Sequence, residues 1–106
     1  MPDKISEIYF AETNKEAQFA GDGPKPQFLI DTPGFKTLVV GLDAGQQIPL
    51  HSDSAAMYHF LEGSGLMTVG QETFEIKPGV TIIAPGGAVR GMNAKTQVVF
   101  LGAKGV

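Results

Sequence analysis

Four side chains suited to chemistry fall in two stretches, PLHSDSAAMYHFLEGSG (49–65) and PGGAVRGM (85–92). They are His51, Asp53, His59 and Arg90. Imidazole is the commonest metal-binding side chain, and a carboxylate adds an oxygen donor. His51 with a nearby acid could also act as a general base. A guanidinium suits a carboxylate or a phosphate. Side chains alternate along a strand, so Ala56, Tyr58 and Phe60 share one face, with Met57, His59 and Leu61 opposite. If Ala56 faces inward, His59 faces away, unless a β-bulge between them resets the alternation.

These residues need strands to position them. Fourteen glycines and seven prolines punctuate the chain at short intervals. Between them lie segments rich in β-branched and aromatic residues: 27–31, 35–42, 47–53, 57–62, 66–69, 72–76, 80–84, 88–92 and 96–102. Many short strands at regular spacing predict an all-β sandwich or barrel. The segment NKEAQFA (14–20) predicts a helical turn, and GDGPKPQ (21–27) an extended connection. EIYFAE (7–12) predicts an edge strand. The 106 residues fit one domain, with 1–26 as an N-terminal strand and extended arm. In so small a β-protein, an edge strand of this kind predicts pairing with a second copy, hence a homodimer.

Composition narrows the function classes. Net charge is −3, and the eight basic residues are scattered. A nucleic-acid surface needs them clustered, so nucleic acid is excluded as a partner. With no cysteine, disulfides, thiolate zinc sites and cysteine nucleophiles are absent. No apolar run approaches the roughly 20 residues of a membrane helix, and MPDKISEIYF lacks a secretory signal pattern. The expectation is a soluble cytoplasmic protein with no membrane partner. PGGAVRG lacks the lysine of a phosphate loop and reads as a turn.

From Gly45 to Asn93 the spacing resembles the two motifs of the cupin family. Gly45 precedes His51 by the motif interval, and YHFLEGSG is similar to the motif's YVLEG end at Gly63. KPGVTIIAPGGAVRGMN matches the second motif's frame through Pro78, Gly79, Pro85 and Gly87. The resemblance covers about two thirds of the chain. It implies a small single-domain cupin, a double-stranded β-helix of jelly-roll type, often paired as a dimer. It also implies one divalent ion held by three histidines and a glutamate. Residue by residue, those four positions hold His51, Asp53, Ala56 and Arg90. Alanine donates nothing, and a guanidinium has no lone pair and repels a cation. The expected metal ligands are therefore none, and the expected cofactor none.

In a cupin these positions converge, which leads to the expectation of an Asp53–Arg90 salt bridge, joined by His51, in place of the ion. Burying the two charges paired is far less costly than burying either alone. The alternative is that both point to solvent at the barrel mouth. The expected pocket residues are His51, Asp53, Arg90, Tyr58 and Phe60. The apolar wall would come from Phe60, Met67, Phe74 and Ile82, and Arg90 and His51 would anchor a small organic acid. Four function classes follow. The first is a metal-free small-molecule-binding module. The second is a metal-dependent oxygenase, isomerase or decarboxylase using His51, Asp53 and further ligands. The third is a metal-free isomerase or lyase with His51 as base, and the fourth a dimer with a filled barrel.

Overall fold

The computed structural model describes residues 8–105. Every segment between the glycine and proline turns becomes a strand. They are β1 (Lys25–Asp31), β2 (Lys36–Leu42), β3 (Gln47–Ser52), β4 (Ala56–Glu62), β5 (Gly65–Val69), β6 (Glu72–Ile76), β7 (Thr81–Ala84), β8 (Val89–Ala94) and β9 (Val98–Lys104). One sheet has the order β1-β2-β9-β4-β7 and the other β3-β8-β5-β6, with every pairing antiparallel. The architecture is the expected β-sandwich.

Alternation along the strands builds the core. Val40, Leu42, Phe60, Val98 and Phe100 come from the five-stranded sheet, and Met67, Ile76, Met92 and Ala94 from the four-stranded one. Phe100 stacks its ring against both Tyr58 and Phe60, with centroids 5.7 and 5.6 Å apart. Such pairs add stability beyond the area they bury.

The N-terminal region departs from expectation. Only Thr13–Glu16 forms a helical turn, α1, shorter than the expected 14–20. It has no side-chain N-cap, and Ala17 is already extended. The expected strand EIYFAE falls partly outside the described residues, and its described part, residues 8–12, pairs with no strand. The arm instead crosses the outer face of β2. A side chain at Gly41 would put its Cβ 2.3 Å from the Gln18 carbonyl oxygen and 3.1 Å from the Phe19 ring. The arm thus caps the sheet face that carries Val39, which is fully buried although it points away from the core.

Two local irregularities shape the site. Between Ile48 and His51 the β3–β8 register shifts. Pro49 lies there and has no N–H to give the ladder, so the strand bulges. The extra residue lets Ile48 and His51 both face the interior, opposite Met92 and Arg90. At the end of β4, Gly63 has φ of +94°, and a Cβ there would lie 2.0 Å from the Gln97 carbonyl oxygen. Only glycine tolerates both constraints.

Candidate functional site

A cavity of about 390 Å³ opens between the two sheets at one end of the sandwich. Its inner wall is apolar: Leu38, Val40, Met67, Met92 and Phe100, with Pro26 at the side. Its polar lining comes from Gln47, His51, Asp53, Tyr58, Arg90 and Lys104. The interior is therefore not filled, as a purely structural dimer would have it.

Four of the five expected pocket residues line this cavity: His51, Asp53, Arg90 and Tyr58. Phe60 does not, which corrects the expected lining. It is fully buried, packed in the centre of the core. Tyr58 precedes it by one inward step on β4, so Tyr58 reaches the cavity and Phe60 the core behind it. The expected wall is corrected likewise. Met67 lines the cavity, Ile82 is in the core, and Phe74 on β6 is partly exposed. Leu38, Val40, Met92 and Phe100 replace them.

Arg90 is the only charged residue buried in the described chain, with 1% exposure. Its guanidinium is spent on main-chain carbonyls. Nε donates to Ala88 O at 3.0 Å, and Nη2 to Asp53 O and Pro85 O, both at 3.0 Å. Nη1 donates to Ser54 O at 2.7 Å and to the Tyr58 hydroxyl at 3.3 Å. A guanidinium has five N–H donors, so all are taken. Arg90 ties the β3–β4 turn to the turn before β8.

The expected Asp53–Arg90 salt bridge does not form. Among the described residues no carboxylate lies within 4.0 Å of the Arg90 guanidinium. Asp53 turns its carboxylate to Lys104, with Nζ 3.0 Å from Oδ2, and its Oδ1 accepts from the Ser54 amide at 2.8 Å. Arg90 holds the main-chain oxygen of Asp53 instead. The reason is geometric. The antiparallel β9–β4 register sets Lys104 opposite Ala56, beside the Asp53 turn, and so gives that acid a nearer cation. Burial opposes ionisation of Asp53. The Lys104 hydrogen bond, the Ser54 amide and the Lys104 and Arg90 charges outweigh it, and hold the carboxyl below its ordinary range.

His51 does not join the pair either. Its Nδ1 donates to the Pro49 carbonyl at 2.9 Å, since a carbonyl can only accept. His59 lies on the opposite face of β4, with Nδ1 2.7 Å from the Thr81 hydroxyl, its cross-strand partner. Lys104 lines the cavity and is absent from the expected set. Its signal was the alternation Val98, Phe100, Gly102, Lys104, which carries a charge on an otherwise inward row.

The donor set does not fit a divalent ion. Among the described residues no three His, Cys, Asp or Glu side chains come together. His51 and Asp53 are two potential ligands, whereas such sites take three or four. The carboxylate is engaged by one ammonium, and the guanidinium beside it offers no lone pair. Two fixed cations beside the carboxylate disfavour a third.

No protein-family model matches the chain, and no curated protein sequence matches it. Solved structures do. A conserved protein of unknown function from Streptococcus pyogenes is 26% identical, with TM-score 0.83, over 95% of this chain and 90% of that one. An RmlC-like cupin protein from Desulfovibrio desulfuricans is 20% identical, with TM-score 0.83, over 93% and 97%. Salicylate 1,2-dioxygenase from Pseudoaminobacter salicylatoxidans is 16% identical, with TM-score 0.72, over 78% of this chain but only 25% of that one.

Proposed function

Starting from a small domain of cupin fold, we propose that this chain is a small-molecule-binding module that works without a resident divalent ion. Its ligand class is a small organic acid with an apolar body. The observation that carries the proposal is the 390 Å³ cavity, with a mostly apolar lining and a few polar groups. Ligand sites are mostly apolar concavities with a few placed polar groups. Charge supports the acid. Asp53 and Lys104 neutralise one another, whereas the Arg90 charge has no carboxylate against it. The lining therefore carries an excess positive charge, complementary to an anionic head.

The donors at that mouth differ from those expected. Arg90 has none left, so the anchoring groups are Tyr58, Lys104 and His51. Arg90 contributes charge and shape. The donor set argues against the metal-dependent alternative. Among the described residues no helix is long and apolar enough to cross a membrane. Pairing as a homodimer remains part of the proposal. Ile83 on β7 and Phe10 in the arm are largely exposed, apolar surface that a second copy would cover.

Titration of protein labelled at the methionine methyls tests the reading. Benzoate is expected to shift the Met67 and Met92 signals saturably and to raise the unfolding temperature, because ligands that bind only the native state stabilise it. If benzoate, hexanoate and the apolar probe naphthalene all leave both signals unmoved, the cavity is not a binding site.

A further inference from the structure

The Arg90–Tyr58 contact determines more than the shape of the mouth. Arginine has donors and no acceptor, so in the 3.3 Å contact the Tyr58 oxygen must accept. A phenol carries one hydrogen, which lies near the ring plane on one side of the oxygen or the other. The guanidinium holds the accepting side, and a hydrogen turned that way would meet an N–H of a cation. The Tyr58 hydrogen therefore points to the other side. Among the described residues no protein acceptor takes it. The ring itself is held by strand β4 and by the Phe100 ring, 5.7 Å away at 62°. Arg90 is in turn held by four carbonyls and is buried, so it cannot turn aside.

We infer that Tyr58 is the specificity-determining residue of the cavity, its hydroxyl fixed as a donor by Arg90, so that the cavity selects ligands whose polar head accepts a hydrogen bond. Carboxylates, ketones and ring nitrogens satisfy that hydroxyl. A head that only donates leaves it unmatched and sets its own donor against it. Sites built around one buried polar group discriminate strongly for this reason. The inference rests on the cavity being the binding site, as proposed above. It goes beyond that proposal by extending the ligand class to neutral acceptors and by assigning selection to one hydroxyl. Arg90 is the positioning residue, acting on the ligand through Tyr58.

Three bicyclic probes of similar shape test it: naphthalene has no polar head, quinoline has only an acceptor, and indole has only a donor. Binding is read from the Met67 and Met92 methyl signals. In the wild-type protein quinoline is expected to bind at least about tenfold more tightly than indole, the order of one well-made hydrogen bond against one left unmade. In Tyr58→Phe that ratio is expected to fall to within about threefold, since only the hydroxyl contribution is removed. Naphthalene affinity should change by less than the quinoline affinity. If Tyr58→Phe does not fold, the ratio is read in Lys104→Met, because Lys104 is the other donor-only group of the lining: a quinoline preference kept there supports Tyr58, and one that falls to within about threefold overturns the inference. Equal binding of quinoline and indole, with naphthalene bound, overturns this inference and leaves the cavity proposal standing. Retention of the full quinoline preference in Tyr58→Phe overturns it too. No binding of any of the three overturns the cavity proposal and this inference with it.

Discussion

Replacing Arg90 with methionine isolates what the buried guanidinium does. Methionine replaces the aliphatic stem but not the guanidinium head, so all five hydrogen bonds go. The Asp53 and Pro85 carbonyls keep amide donors, Gly87 N at 2.8 Å and Ala88 N at 3.1 Å. The Ser54 carbonyl, which holds the shortest of the five at 2.7 Å, loses its donor. A hydrogen bond to a charged group contributes about 1.5–3 kcal/mol, and an acceptor left buried costs about 1–3 kcal/mol. Removing the charge also removes its desolvation cost, which offsets part of the loss. The expected net destabilisation is about 3 kcal/mol, one charged hydrogen bond and one unmet acceptor less that offset. In a domain of this size that lowers Tm by more than about 12 °C. Asp53→Asn is the informative companion. It keeps the main-chain oxygen that Arg90 uses and breaks only the partly exposed Lys104 pair, so it should cost only about 0.5–1 kcal/mol. Urea unfolding of both single variants and the double variant gives the coupling, expected to be below about 0.5 kcal/mol. A loss under about 1.5 kcal/mol for Arg90→Met refutes the carbonyl-cage account, because less than one charged hydrogen bond would then be at stake. Coupling above about 1.5 kcal/mol would instead restore a direct side-chain bond between the two residues.

Three further outcomes are expected. The folded carboxyl of Asp53 is held below its unfolded value, so its contribution is complete above the unfolded pKa near ~3.9 and is lost as pH falls through the folded one. The stability gap between wild type and Asp53→Asn should therefore be flat from about pH 7 to pH 5 and close below about pH 4, and a gap that widens on acidification contradicts the Lys104 pairing. Zinc, manganese, nickel or iron(II) should leave Tm unchanged, and purified protein should hold well under one equivalent by elemental analysis; a metal-induced rise that His51→Ala abolishes would reverse the donor-set argument. Gly63→Ala should cost more than about 2 kcal/mol or prevent folding, combining positive φ with a blocked Cβ, while Gly79→Ala, with φ of +90° but open space, should cost about 1 kcal/mol in the same denaturant assay.

Much of the site was legible because it lies in strands whose period is two. The alternation that sent Tyr58 inward and His59 outward holds, since the β4 register shift comes only after Phe60. The bulge at Pro49 was not foreseen, although the proline that causes it is visible. The failed expectation is the Asp53–Arg90 bond. Both residues do meet, and the two touch, but through a main-chain oxygen. Motif spacing names positions and says nothing of which atom at a position is used.

The glycines and prolines between short β-branched runs determined the nine strands found among the described residues and an all-β sandwich, though not the expected EIYFAE strand, because turn chemistry and strand periodicity are local. The resemblance to the cupin motifs, by contrast, is what set Ala56 and Arg90 at places where metal ligands would stand. Only the tertiary structure decided how those exchanges are compensated. Lys104 reaches Asp53 across 51 residues because β9 runs antiparallel beside β4. Four carbonyls from two turns close on Arg90 because the sheets bring residues 53–54 and 85–88 together. Long-range register is set by packing against partners far along the chain, and so the partners of a buried charge are set by the fold as a whole.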